Sequence, residues 1–546
     1  MTEITKGITY LNEYKSLKKA VDEGKTPVLT VGLSAIHKAN LAAALGADTA
    51  RPVLVLTDDD NAANRFAADL RGFSEREVVV LPPRELVMAD VAGVSRGYEQ
   101  ARLAALDTLS GACFAVASVQ AAAQRTMPPA LLASSIVTLK AGEEAPLDEL
   151  THRLTDAGYE RCSQVEGMGQ FSVRGGILDI FPPQAEHPYR VEFWDDEIDS
   201  ISTFDVGSQR RLEQCETLRC LPCMEALPSL AQGGAAGLAK AVAALASSRR
   251  KKQHAELQKN LERDAERLRE SGTLPAADKY LPLIYPQMAT AFDYLPENTL
   301  ILIEDTPRLR DAARDFHARI ADDVTALMER GELPGGMDGY ALDFAGICSI
   351  KRQIVRMDSF LNSIPELAPQ HLENFVANQM NAYGGNLDMA SADIRSYTEQ
   401  GRAVAVVCGS TLRCKNMFDA LTDSGLKVQL SDLLPKGGCV NIMEGTISAG
   451  FEYPDLGLVV MTEGQVLARR KKAKVKRSNR DRVKSFTDLS PGDLVVHEHH
   501  GIGRFIGMER MTVDGSERDF IKIAFAGTDF LYVPATSLDL ISKYIG

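Results

Sequence analysis

The first 145 residues alternate short apolar runs with longer stretches that have one apolar face. Helical stretches such as Ala35–Leu45 and Ala62–Leu70 separate four runs that have the length and composition of buried strands: Val28–Gly32, Val53–Thr57, Val78–Leu81 and Phe114–Val116. Buried strands that alternate with helices of this length are typical of a parallel, doubly wound sheet. The pattern therefore predicts an α/β domain at the start of the chain.

From about residue 151 the apolar positions recur every second residue, as in strands with one buried face. In Tyr189–Trp194 this period places the apolar members on one face and Arg190, Glu192 and Trp194 on the other. The same reasoning directs Arg174 outward. Exposed Trp and Arg are enriched at interface hot spots, so we expect a protein contact here. The alternative is that a neighbouring domain covers Trp194, the only tryptophan of the chain.

The rest of the chain predicts two more folded segments and a charged connection between them. After a helical stretch, Leu300–Glu304, Ala403–Cys408 and Leu458–Met461 continue the α/β pattern. Arg469–Lys484 holds ten Lys or Arg residues and one acidic residue. We interpret it as an exposed linker that is either simply solvated or in contact with nucleic acid. Short strand candidates between residues 494 and 533 then predict a small β-barrel.

Composition and charge narrow the class of protein. The 546 residues carry a net charge of −13, which excludes a uniformly basic nucleic-acid-binding protein but allows a local basic patch. No apolar run reaches the ~18 residues that a membrane span needs. No stretch of signal-peptide type follows Met1. We therefore expect a cytoplasmic protein without a membrane partner.

Cysteine and histidine positions raise the question of a metal site. Nine cysteines, an odd number, do not suit a secreted disulfide framework. Cys220 and Cys223 form a Cys-x-x-Cys pair, which is either a zinc half-site or two reduced thiols. A structural zinc site needs a second pair or added histidines at fixed spacing. The sequence offers no second pair, so we expect no bound metal.

The first strand-to-helix junction is where a doubly wound domain would hold a phosphate-binding loop. The pattern G-x-x-x-x-G-K-[ST] supplies backbone amides, a lysine and a hydroxyl that holds magnesium. Gly32 and Lys38 fit this pattern, whereas His37 replaces the second glycine and Ala39 replaces the hydroxyl. Ile301–Asp305 has the shape of the matching acidic strand, or of any buried strand that leads into a polar loop. We expect this degenerate, P-loop-like site to be inactive, so that neither ATP nor magnesium is a cofactor of this chain.

Two groups of segments resemble modules of known proteins. One group resembles the module that UvrB shares with the bacterial transcription-repair coupling factors, the Mfd family: Val173–Pro182, Tyr189–Ile201, Thr203–Asp205 and Ser208–Arg210. The other resembles the RNA-polymerase-interacting, CarD-like module: Pro491–His497, His500–Phe505, Leu531–Pro534 and Ser542–Tyr544. Only the coupling factors carry both modules in this order, so the sequence is identified as a member of that family.

The resemblance implies an adaptor in transcription-coupled nucleotide excision repair. The UvrB-like part would recruit UvrA, and the CarD-like part would bind the β subunit of a stalled RNA polymerase. The family's UvrA contacts fall on Arg174, Arg190 and Trp194, and its apolar polymerase contact falls on Met511. The acidic balance of residues 491–546, with five basic and eight acidic side chains, also favours a protein partner over a phosphate backbone.

The resemblance and the pattern together predict six segments. A degenerate P-loop-like, doubly wound domain spans 1–147 and 219–367, and an inserted β-rich UvrA-binding module spans 148–218. A second α/β domain spans 368–466, a basic linker spans 467–487, and a small SH3/Tudor-like β-barrel spans 488–546. Four adjacent basic residues of the linker are candidate DNA contacts: Arg469, Arg470, Lys471 and Lys472.

The motifs of the family's ATP-driven, double-stranded DNA translocase have no counterpart in these residues. We therefore expect the DNA contact and the ATP and magnesium chemistry to belong mainly to a motor absent from this chain. No residue of the chain is predicted to be catalytic, and we expect a monomer. Two alternatives stay open: an ATP-dependent, UvrB-like repair helicase, and a CarD-like transcription regulator that acts through the barrel alone.

Overall fold

The computed structural model describes the chain apart from Met1, Asn381 and residues 90–95, 249–254, 434–436, 468–491, 498–500, 514–515, 525–529, 535–540 and 544–546. The chain forms two compact units, Met1–Leu467 and Ala468–Gly546. None of the helices in the described part of the chain is both long and apolar enough to cross a bilayer.

The first 140 residues alternate strands and helices, as their hydrophobic pattern predicts. Every residue of the strands at 28–31, 53–57 and 114–118 is buried, which is why their sequences are almost continuously apolar. The strands are β1 (Val28–Val31), β2 (Val53–Thr57), β3 (Val78–Leu81), β4 (Phe114–Ser118) and β5 (Val137–Lys140). The helices are α1 (Thr2–Gly7), α2 (Asn12–Asp22), α3 (Ala35–Thr49), α4 (Asp60–Phe73), α5 (Gly97–Leu109), α6 (Val119–Ala123) and α7 (Pro129–Ser135).

A β-rich module follows, built on one helix, α8 (Leu147–Asp156). Its strands are β6 (Glu160–Arg161), β7 (Gln170–Arg174), β8 (Ile177–Ile180), β9 (Tyr189–Trp194), β10 (Glu197–Phe204), β11 (Arg211–Cys215) and β12 (Thr217–Cys220). Strands β6 to β11 form one sheet in the order β11-β10-β9-β8-β7-β6. The strand that enters the module, β5, pairs antiparallel with the strand that leaves it, β12. Entry and exit are therefore adjacent, as an inserted module requires.

The chain then returns to the first domain. Helices α9 (Gly234–Ser248), α10 (Ala255–Ser271), α11 (Leu281–Ile284), α12 (Thr306–Glu329) and α13 (Phe344–Cys348) accompany strands β13 (Leu300–Ile303), β14 (Gln353–Met357) and β15 (His371–Asn374). These three strands join β1 to β4 in a seven-stranded sheet with the order β15-β1-β14-β13-β2-β4-β3. Every pairing in this sheet is parallel. The α/β architecture with a parallel sheet is confirmed.

A second sheet completes the first unit. Its strands are β16 (Asn378–Gln379), β17 (Ala403–Cys408), β18 (Val428–Leu430), β19 (Val440–Glu444), β20 (Phe451–Tyr453) and β21 (Leu458–Thr462), with helices α14 (Leu387–Glu399), α15 (Thr411–Asp423) and α16 (Glu463–Val466). The order is β16-β20-β21-β17-β19-β18, and only the pairings of β20 are antiparallel. One apolar core includes residues of both α/β sheets, such as Val55, Leu302, Phe451 and Val460, so the two sheets are packed as one body.

The second unit is an antiparallel sheet around a small apolar core. Strands β22 (Leu494–His497), β23 (Gly501–Val513), β24 (Ser516–Ala524), β25 (Phe530–Pro534) and β26 (Ile541–Lys543) pair in the order β25-β24-β23-β22-β26. Its core contains Val495, Phe505, Ile521, Ile523 and Val533. Within the residues that the structure describes, no pairing joins the outer strands β25 and β26, so closure into a barrel stays a prediction.

Candidate protein-docking site

The alternation of side chains along β9 divides the inserted sheet into two faces. Val191 is fully buried, and Tyr189 and Phe193 pack against the same apolar core. The intervening residues Arg190 and Trp194 project from the opposite face. The prediction of an apolar and a polar face for this strand is confirmed. We call the polar face the arginine face.

Strand register brings polar residues of several strands into rows on the arginine face. Asp179 of β8 lies opposite Ser172 of β7 on one side and opposite Arg190 of β9 on the other, and Arg190 lies opposite Ser202 of β10. Residues that are directly opposite in adjacent strands share a face. Ser172, Asp179 and Ser202 are buried, so this row is the inner part of the face. A second row contains Arg174, at the end of β7.

The carboxylate of Asp179 joins the two predicted arginines. Arg190 donates from Nε to Asp179 Oδ1 (2.7 Å) and from Nη2 to Asp179 Oδ2 (2.8 Å), which is a two-point contact. Arg174 donates from Nη2 to the same Oδ2 (2.6 Å). Charge-assisted bonds of this length are the strong ones in proteins. Arg174 and Arg190, sixteen positions apart in sequence, are thus held by one buried anion.

The two arginines differ in how much of each reaches solvent. The guanidinium of Arg190 lies 4.6 Å from the ring centroid of Phe204 and contacts Gln209, so that its side chain is only 15% exposed. The side chain of Arg174 is 50% exposed. Arg174 therefore presents the cationic group that an incoming protein can touch most directly.

Trp194 is the most exposed aromatic side chain of the arginine face. It ends β9 at a tight hairpin, opposite Glu197, and the turn residue Asp195 has the positive φ of 57° that a reversal of this kind requires. Its exposure of 80% leaves a large apolar surface in water. Among the residues of the first unit that the structure describes, none covers Trp194.

Sequence reasoning missed one ionic group of this face, Asp179, and the ion pair of another, Glu192. Asp179 was not singled out, although a charged residue between the apolar Leu178 and Ile180 is the signal that could have found it. Glu192 accepts from Ser200 Oγ (3.0 Å) on the adjacent strand β10 and pairs with Arg211 of β11, the strand beyond β10. The partner of each carboxylate lies on another strand, and strand pairing is not visible in the sequence alone.

The segment predicted to be a degenerate phosphate loop lies at the carboxyl end of β1. Gly32 has a positive φ of 85°, and a Cβ placed there would lie 2.1 Å from the carbonyl oxygen of Phe375. The main chain that follows β15 therefore passes directly against the loop. A phosphate needs open space above such a glycine. The approach of the Phe375 carbonyl to Gly32 therefore fills part of the space in which a phosphate would bind.

His37 is buried at the start of α3. Its ring makes edge-on contacts with Phe451 and Tyr453 of β20, with centroid separations of 5.3 Å and 5.1 Å, and Nδ1 lies 2.7 Å from Ser34 Oγ. Burial lowers the pKa of His37 to about 4, an effect that a hydrogen bond with the backbone of Glu452 opposes. His37 thus belongs to the core between the two α/β sheets.

Lys38 and Ala39 are also buried. Lys38 donates from Nζ to the backbone carbonyl of Glu304, at the end of β13. Burial lowers the pKa of Lys38 and raises the pKa of the Glu304 carboxyl. Asp305 caps α12, accepting from the backbone N–H of Arg308 (3.3 Å). Lys38 therefore takes part in packing against the end of β13, and Asp305 takes part in helix capping.

Several predicted residues lie partly or wholly outside the described residues. Met511 is in β23, with its Cα opposite that of Arg518, but its side chain is not described. The four linker residues Arg469, Arg470, Lys471 and Lys472 lie outside the described residues.

Cys220 and Cys223 are buried thiols, and burial raises the pKa of each. Within the described part of the chain, no three His, Cys, Asp or Glu side chains group in a way that could hold a metal ion.

Comparison with known proteins first defines the class of protein. Residues 137–225 match the UvrB interaction domain, and this range contains the whole arginine face. Residues 489–545 match the CarD-like/TRCF RID domain. The chain therefore combines a UvrB interaction domain with a CarD-like/TRCF RID domain.

Two curated relatives carry the comparison to a family. The chain is 30% identical over 561 residues to the transcription-repair-coupling factor of Bacillus subtilis (strain 168), and 26% identical over 562 residues to that of Staphylococcus aureus (strain USA300). Both matches cover 100% of this chain but only 47% of the relative, so the chain spans about half the length of the curated relatives it matches. The resemblance to the N-terminal half of the transcription-repair-coupling factors is confirmed.

Proposed function

We propose that this chain is the adaptor half of a transcription-repair-coupling factor, which recruits UvrA to an RNA polymerase stalled at a DNA lesion. The inserted sheet docks UvrA through Arg174, Arg190 and Trp194, and the second unit docks the β subunit of the polymerase through Met511. Its place of action is the cytoplasm, as a monomer. In the full-length protein, an ATP-driven translocase on double-stranded DNA would then displace the polymerase.

One observation carries the UvrA part of this proposal. Within the stretch that matches the UvrB interaction domain, Trp194 and Arg174 lie exposed on one polar sheet face. A large exposed aromatic on the same sheet face as a fixed cation has the composition of an interface hot spot. The name of the matched domain supports a partner from the UvrB repair system.

The UvrA contact is tested by measuring the affinity of purified UvrA for single variants. Trp194→Ala and Arg174→Ala should each weaken binding about tenfold or more, because hot-spot truncations cost about 2 kcal/mol or more and about 1.4 kcal/mol corresponds to tenfold. Phe360→Ala is the matched control, since Phe360 is an equally exposed aromatic (81%) outside the inserted module. Wild-type affinity in both test variants would reject the proposed site.

The polymerase contact rests on the match of residues 489–545 to the CarD-like/TRCF RID domain. Met511→Arg, which places a charge at the proposed apolar contact, should abolish pull-down of the polymerase β subunit. Met389→Arg serves as the control, because Met389 is an exposed methionine of α14 in the other unit. Undiminished capture by the Met511 variant would refute this assignment.

The described loop geometry supports a nucleotide-free role for this chain. We propose that the parallel domain is a P-loop-like fold that has lost its nucleotide site, with ATP and magnesium bound by the motor of the full-length protein. Lys38 donates to a backbone carbonyl, and the chain after β15 passes against Gly32.

We also propose that the second unit is an SH3/Tudor-like barrel. In the linker, we propose that four basic residues contact DNA near the motor: Arg469, Arg470, Lys471 and Lys472.

A further inference from the structure

Asp179 is a charged side chain in an unusual place. It is 1% exposed and lies in the middle strand of three, between residues that belong to the apolar core. Both of its carboxylate oxygens accept hydrogen bonds, one from Arg190 and the other from Arg190 and Arg174 together. Burying a carboxylate is costly unless it is paired and hydrogen-bonded, and here both conditions are met.

The contacts of Asp179 have different consequences for the two arginines. Arg190 is fixed on three sides, by Asp179, by the ring of Phe204 and by Gln209. For Arg174, the described hydrogen bond is the one to Asp179, and half of its side chain is in solvent. Without Asp179, the long side chain of Arg174 would sample several rotamers.

We propose that Asp179 is a positioning residue for partner binding, which holds Arg174 in the conformation that UvrA recognises. The inference rests on the proposed function of this face. An arginine loses rotamer entropy when it is fixed, so fixing it before association removes part of that cost from binding. A guanidinium has five N–H donors, and those not directed at Asp179 are available to a carboxylate of the partner.

The arrangement also assigns a role to Arg190. Its guanidinium donates two hydrogen bonds to Asp179, so that the buried carboxylate is paired while it also binds Arg174. Arg190 would therefore influence UvrA binding largely through Asp179 and Arg174, in keeping with its 15% exposure. The arginine face therefore presents one pre-set cation, Arg174, on the same face as Trp194, and not two independent cations.

The test measures the affinity of UvrA for the whole chain carrying Asp179→Asn, which removes the charge with little change of shape. We expect binding to weaken about tenfold, close to the effect of Arg174→Ala. In the double variant Asp179→Asn with Arg174→Ala, affinity should stay within about twofold of Arg174→Ala alone, because the two residues act as one unit. Effects that multiply in the double variant, or wild-type affinity of Asp179→Asn, would overturn the inference.

Controls separate positioning from folding. Asp107→Asn removes a carboxylate that makes a two-point contact with Arg219, outside the arginine face. It should lower the thermal unfolding midpoint without changing UvrA affinity. If Asp179→Asn does not fold, Asp179→Glu decides, since it keeps the charge but displaces both arginines. Unchanged affinity of the Asp179→Glu protein would refute the positioning role.

The same measurements distinguish failure of this inference from failure of the proposed function. If Trp194→Ala and Arg174→Ala leave UvrA binding unchanged, the face is not the docking site. If those two variants bind weakly while Asp179→Asn binds as wild type, the docking site stands and only the positioning role is wrong.

Discussion

At the scale of single residues, the burial of His37 ties its protonation to folding. Burial lowers its pKa from an ordinary value of 6.5 to about 4. Below about pH 6.5 the unfolded chain therefore binds a proton that the folded protein does not bind. The stability that the neutral ring contributes is complete above that pH and decreases as the pH falls toward 4, by about 2 kcal/mol at pH 5.

A variant with an uncharged ring should lack this dependence. We expect the urea midpoint of His37→Phe to fall less than that of the wild type between pH 7.5 and pH 5, because phenylalanine keeps the contacts with Phe451 and Tyr453 but cannot be protonated. Exposed His152 supplies the control variant His152→Gln. Equal shifts in His37→Phe and the wild type would contradict the assigned pKa.

Single residues also show which features of the site could be predicted from the sequence and which could not. The outward positions of Arg174 and Trp194 followed from the period of two, which depends only on neighbours in the same strand. The role of Asp179 depends on strand pairing, and the engagement of Lys38 depends on a backbone carbonyl 266 positions away. Nothing in the sequence next to Asp179 or Lys38 indicates which residues these side chains contact. These contacts therefore could not be predicted from the sequence.

At the scale of elements, the contacts at the junction of β1 and α3 bear on nucleotide binding. They predict that completing the phosphate-loop motif by substitution will not produce a nucleotide-binding site. His37→Gly with Ala39→Thr completes the pattern G-x-x-x-x-G-K-T. We expect no binding of magnesium-ATP tighter than about 1 mM by calorimetry, because Lys38 Nζ contacts the carbonyl of Glu304 and Gly32 faces that of Phe375. Circular dichroism would verify folding of the variant, and magnesium-dependent heat of binding would disprove this expectation.

The elements themselves were largely predictable, but their arrangement was not. Runs such as Val53–Thr57 and Leu300–Ile303 are apolar because the strands are buried on both faces. The same property makes the runs alike, so nothing in them specifies that β13 and β14 lie between β1 and β2. Strand β15 also pairs with β1, which extends the first sheet beyond the predicted boundary at residue 367.

At the scale of the whole first unit, buried ions join chain segments from both sides of the insertion. Arg84 precedes α5, Glu225 follows the inserted module, and Asp278 lies farther along the returning chain. Arg84 contacts Asp278 (2.6 Å) and Glu225 (3.1 Å), and Arg102 of α5 shares Glu225 at 3.1 Å. With Glu99, these side chains are almost fully buried, so the network holds the two halves of the first domain together.

Arg84→Met should therefore destabilise the protein by about 3–5 kcal/mol at neutral pH, since it leaves buried carboxylates without their main cation. Arg269→Met removes an exposed helix pair with Glu266 and should cost less than about 1 kcal/mol.

Burial already raises the pKa of Glu99, and Arg84 opposes that rise. Removing Arg84 raises this pKa further, so the carboxyl is protonated in the folded variant at a pH where it is ionised in the unfolded chain. The stability difference from the wild type, measured by urea unfolding, should thus be largest at pH 7.5 and smaller at pH 5.5. A deficit independent of pH would show that lost packing, not unpaired charge, is the cause.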